Sequence, residues 1–164
     1  MNTSAVQMSH TTVVVAIQFE KFIGTFESLL GKYDPIVGAQ IRKDPQLADR
    51  LFQAMEGEQN LMIFWRLNHG GLFSLIGQSC KAMRYTIGNP RIALQMTRHD
   101  VLAALYVPFN ILVIENDGGS VRVEYDLPSS QLSQFGNADV LQIATQLDYK
   151  IQRLLDATAR AATL

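Results

Sequence analysis

Apolar and polar positions follow two alternating periods along the chain. Thr11 to Ile17 carries Val13, Val14 and Val15 in succession with no breaker, which predicts a strand. Phe19, Phe22, Ile23, Phe26, Leu29 and Leu30 then recur at three- and four-residue steps, the spacing of one helical face, with Gly31 as its stop. Asp44 and Pro45 suit an N-cap and a first helical residue, and Leu47, Leu51, Phe52 and Met55 share a face up to Gly57. Leu61 to Leu67 reads as a buried strand that ends at Asn68-His69-Gly70-Gly71, and Leu72 to Ile76 fits a strand or a helical turn.

Lys81 to Ile87 predicts a further strand, Pro90 to Arg98 a short helix, and Asp100 to Leu105 a second one capped by Asp100. Ile111 to Glu115 and Ser120 to Tyr125 flank Asn116-Asp117-Gly118-Gly119, whose residues tolerate positive φ, so they form a hairpin. In its second strand Val121, Val123 and Tyr125 alternate with Arg122 and Glu124, giving one buried and one wet face. Pro128 opens a loop, and Asn137 caps a last helix running to about Ala159. Its Val140, Ala144, Leu147, Ile151 and Leu154 form a narrow seam, widened by Leu141 and Leu155, that either packs on the sheet or pairs across a dimer.

Composition narrows the class. The 164 residues are 48% hydrophobic and 18% charged, the range of one soluble globular domain. We expect residues 1–10 to form a disordered or loosely ordered lead and 11–160 one domain, with a helical insertion around 35–57. A mean hydropathy of +0.06 leads us to expect an apolar surface shared with a second copy, hence a homodimer. A net charge of -1 without a Lys or Arg run argues against nucleic acid. No stretch reaches the roughly 18 apolar residues of a membrane span, and Met1 to Gln18 lacks the basic start and apolar core of a signal peptide. The lone Cys80 fits a reducing compartment, so a cytoplasmic location is expected.

Most candidate chemistry fails on spacing. Gly77-Gln78-Ser79-Cys80-Lys81 resembles a nucleophile elbow only until Lys81, where a second small residue is required. His10, His69 and His99 lack the spacing of a zinc site, and Met96 with His99 reads as a core methionine beside a helix-end histidine rather than a haem pair, so no metal and no cofactor are expected. An enzymatic alternative would use His69 as general base with Cys80 or Tyr125 as partner. Between Glu58 and Asp100 there is no acidic residue, while Arg66, Lys81, Arg84, Arg91 and Arg98 all occur there. Either carboxylates from outside this segment pair with them, or they mark a pocket for a small anion. If Asn89 caps a helix with Pro90 as its first residue, Arg91 falls in the first turn, where the helix dipole disfavours a cation and a compensating group is needed.

From Ala82 onward, the Gly88-Asn89-Pro90 corner, the Met96 helix, the approach from Leu105 to Pro108, the Glu115-to-Gly119 turn and Val123-Glu124-Tyr125-Asp126 before a proline occur in an order that resembles the family known as domain of unknown function 302. The resemblance implies a compact α+β bacterial domain, often dimeric, with an antiparallel sheet covered on one face by helices and no established activity. It supports Gly88, Asn89 and Pro90 as a fixed corner, with Met96, Pro108, Glu115 and Tyr125 as neighbours.

The sequence thus predicts an α+β single domain with an antiparallel sheet of roughly four to five strands. Its expected function is to bind or sense a small anionic ligand as a homodimer, through Arg84, Asn89, Arg91, His69, Met96 and Tyr125. The alternatives are the enzyme above and a pure interaction module built on the last helix.

Overall fold

Alternation along the hairpin decides which side of the sheet is covered. Phe109, Ile111 and Val113 of β5 (Phe109–Glu115) and Val121, Val123 and Tyr125 of β6 (Val121–Asp126) are buried, and the residues between them are not. The computed structural model describes residues 1–163. It builds on this hairpin with β1 (His10–Val15), β2 (Gly31–Lys32), β3 (Met62–Asn68) and β4 (Ala82–Gly88) to give one sheet in the order β1-β6-β5-β4-β3-β2. The expected four to five antiparallel strands are therefore six, and the sheet is mixed, because β2 runs parallel to β3. At two residues, β2 is too short to show any alternation; Gly31 N and Tyr33 N donate to the carbonyls of Leu61 and Ile63.

Helices α1 (Phe19–Leu29) and α6 (Ala138–Ala161) cover one face. Phe22 and Phe26 of α1 stack at 5.9 Å, and Phe26 meets Tyr85 edge-on at 5.2 Å. The seam of α6 is spent within the same chain: Leu147, Ile151, Leu154 and Leu155 join the main core. Val140 and Ala144 join a second cluster, with Met96 of α4 (Pro90–Thr97), Ala103 and Leu132 of α5 (Pro128–Leu132). Asn137 caps α6 by accepting from Asp139 N and Val140 N.

The stretch around 35–57, where a helical insertion is expected, contains α2 (Pro35–Lys43), a 3-10 turn at Pro45–Leu47 and α3 (Ala48–Met55). Leu72 to Ile76 belongs to a 3-10 segment, Gly70–Ile76, and the helix expected after Asp100 is also 3-10, Val101–Leu105. β1 begins at His10, inside the expected lead. No helix among the described residues is long and apolar enough to cross a membrane. Among the described residues no α-helix covers the other face of the sheet, and Val14, Trp65 and Arg84 lie exposed there, Trp65 with 62% of its surface accessible.

Candidate functional site

The corner expected at Gly88-Asn89-Pro90 is where the covered half of the molecule opens. β4 ends at Gly88, whose backbone lies so close to Pro108 that a Cβ would sit 2.9 Å from the proline Cβ. Only glycine allows that approach. Asn89 is 5% exposed, and its Oδ1 accepts from Arg91 N to cap α4. Its Nδ2 donates to Glu56 Oε1 at 2.7 Å and to the Asn60 carbonyl at 2.8 Å, so one buried amide ties α4 to the end of α3.

Beside this amide lies a cleft of about 600 Å³ between the end of α3, the start of α4 and the middle of α6. Ile143, Gln146, Leu147 and Lys150 face it at steps of three and four, one side of α6. Gln53, Glu56 and Asn60 form the opposite wall, and Asn89, Arg91 and Gln95 come from the corner and α4. Arg91 is not uncomplemented, contrary to the concern its first-turn position raises: Nη1 is 3.4 Å from Glu56 Oε1 and Nε 3.4 Å from Asp49 Oδ1. Both contacts are longer than the about 2.8 Å of a tight charge-assisted bond, and Asp49 is 84% exposed. Glu56, with 7% of its side chain exposed, also accepts from Asn60 Nδ2. Lys150 Nζ donates to the Gln59 carbonyl at 2.9 Å. Gln59 and Asn60 both have positive φ, 57° and 60°, which is uncommon for consecutive non-glycine residues. Lys150, Asn89 and Glu56 hold this turn in place.

A second cavity, of about 150 Å³, lies beneath α4 and is lined by Phe64, Met96, Val107, Pro108 and Phe109. It shares Asn89, Ile92 and Leu147 with the cleft.

The remaining expected site residues fall elsewhere. Met96 is fully buried and lines the apolar cavity, not the polar cleft. Arg84 lies on the helix-free face of the sheet, opposite Leu112 of β5. His69 follows the far end of β3, where Asn68 pairs with Met83 rather than with Gly88. Tyr125 is 4% exposed in the main core, and burial together with the charge of Asp148 raises its pKa. Tyr125 is on β6, three strands from β3, or about 14 Å at ordinary strand spacing, so the pairing of His69 with Tyr125 is not formed. Cys80 passes close to His69, since its carbonyl abuts Gly70, but neither side chain lines a cavity described above. Several other mid-chain cations have carboxylate partners: Arg66 with Glu27, and Lys81 with Glu20 and Glu115. His99 contacts Asp139 at 3.4 Å. Among the described residues no group of three or more His, Cys, Asp and Glu side chains could hold a metal ion.

Sequence reasoning missed Glu56, Gln95, Gln146 and Lys150. The signal for Lys150 and Gln146 was their position beside the apolar seam of α6; Glu56 lies just outside the acid-free segment and had no local signal.

The family described as "Domain of unknown function DUF302" matches residues 40–158. No curated protein matches the chain. Among solved structures, an uncharacterized conserved DUF302 protein from Bacillus stearothermophilus is similar, with a TM-score of 0.65 over 91% of this chain and 97% of that one. At 14% identity the likeness shows the fold alone.

Proposed function

Because the chain belongs to the DUF302 family, whose description assigns no activity, we propose a function from its cleft: a cytoplasmic homodimeric domain that binds or senses a small anionic molecule between α3, α4 and α6. The observation that carries this reading is the charge of the cleft lining, where Arg91 and Lys150 face the single carboxylate of Glu56 in about 600 Å³. Among the lining side chains the excess is one positive charge; Asp49, outside the lining and 84% exposed, faces Arg91 from 3.4 Å, where solvent screens it. Arg91 has five N–H donors and Lys150 three, and the long contacts of Arg91 with the one bond of Lys150 leave donors for a ligand. Gln53, Asn60, Gln95 and Gln146 add uncharged donors and acceptors that fix orientation. Binding is favoured over catalysis because His69, Cys80 and Tyr125 do not meet in this cleft.

A thermal-shift panel of phosphorylated and carboxylated metabolites tests the reading. A ligand that binds only the folded state, at about a hundred times its Kd, stabilises by about 2.7 kcal/mol, which is several degrees in Tm for a domain of this size. We expect at least one small anion to produce such a shift and Arg91→Gln to remove it. A panel without any response from the wild-type protein would end the proposal.

A further inference from the structure

We propose that the anion carries an apolar body that seats in the cavity beneath α4, which makes the ligand class a small aryl or alkyl monocarboxylate. This rests on the reading of the cleft as an anion site and adds the identity of what enters it. Three observations converge. The two cavities share Asn89, Ile92 and Leu147, so they adjoin at these side chains, and a displacement of the half-buried Ile92 side chain would join them. The inner cavity, about 150 Å³ and walled by Phe64, Met96, Pro108 and Phe109, gives water almost nothing to bond to. Its one polar lining side chain, Asn89, is committed to Glu56, Asn60 and Arg91. An apolar hollow of this volume is large enough for a benzene-sized body. The hollow is partly open to solvent at Pro108, and an apolar hollow of this size beside a polar cleft gives the body of an anionic ligand a place out of water. The lining carries one positive charge in excess, and Asp49 already stands near Arg91, so the cleft suits at most one carboxylate and not a polyanion.

The geometry therefore sets the carboxylate against Arg91 and Lys150, with the body passing Ile92 and ending among Met96 and Phe109. NMR titrations of the full chain with acetate, butyrate, hexanoate, octanoate and phenylacetate, and with inorganic phosphate and citrate as polar controls, test this directly. Burial of each methylene should raise affinity about four-fold, and the gain should level off beyond about six carbons, when the cavity is full. Ala93 lines the inner cavity alone, so Ala93→Leu should abolish the chain-length gain while acetate binds as before. The length series in the wild-type protein decides the matter even if that variant folds poorly. Equal affinity for acetate and hexanoate, or a length gain that survives in a folded Ala93→Leu protein, would overturn the inference. If phosphate or citrate binds and no carboxylate shows a length dependence, the anion cleft stands and this inference falls. If no anion binds at all, both fall.

Discussion

At the scale of single residues, Asn89 is the one on which most depends. Its carboxamide caps α4 and bridges to Glu56 and Asn60 while almost fully buried. Asn89→Ala removes the cap and leaves Glu56 short of a donor, and equilibrium denaturation should show a loss of about 2 to 4 kcal/mol. Asn89→Asp keeps an acceptor for the cap but turns an oxygen toward the Glu56 carboxylate and the Asn60 carbonyl, so it should also destabilise. Wild-type stability in the aspartate variant would show that the two donated bonds do not matter. His10 gives a pH-dependent counterpart at the opposite edge of the sheet. Its ring nitrogens lie 2.7 Å from Asp126 and 3.0 Å from Glu124, and Glu124 also faces Arg122 and Thr12. The hydrogen bonds to Asp126 and then Glu124 raise its pKa above the ordinary 6.5. A raised folded-state pKa means that the stabilisation is complete below about pH 6.5 and is lost as pH rises through the higher folded value. The His10 side chain is more than half exposed, so salt should weaken the effect. Melting curves from pH 5 to 9 should decline over that window in the wild type and less so in His10→Asn, and identical profiles would contradict the link.

At the scale of elements, legibility followed length and locality. The α1 stripe of Phe19, Phe22, Ile23 and Phe26, the Asn116-to-Gly119 turn and the α6 seam were readable because each pattern repeats within one segment. Gly118 and Gly119, at φ 89° and 85°, adopt the backbone the turn requires. β2 was invisible, since two residues carry no period and its partner Met62 is thirty-one positions from Gly31. The Gly70–Ile76 segment was ambiguous for a different reason: Leu72, Leu75 and Ile76 are exposed, so burial does not decide its pattern. The cleft was half legible. Asn89 and Arg91 announce themselves through capping and the helix dipole, but their partner Glu56 is thirty-five positions from Arg91, and only the tertiary fold brings the end of α3 to the start of α4.

At the scale of the whole molecule, the helix-free face of the sheet bears on the proposed homodimer. Trp65 and Val14 are more than half exposed on it, and Arg84, Arg122, Glu124 and Asp126 share it. A two-fold related copy can set these cations against the carboxylates and bury Trp65. Light scattering at micromolar concentration should give a dimer for the wild type and a monomer for Trp65→Glu; a dimer that persists would move the interface elsewhere. The α6 seam is not available for it, being buried in its own chain. The central claim is the cationic cleft, and a calorimetric titration of the anion giving the largest thermal shift tests it most directly, with wild type, Arg91→Gln and Glu56→Gln compared side by side. We predict that Arg91→Gln weakens binding about ten- to a hundred-fold, as loss of a hydrogen bond to a charged group would, and that Glu56→Gln, by removing the competing carboxylate, tightens it. Equal affinity across the three folded proteins would contradict the account.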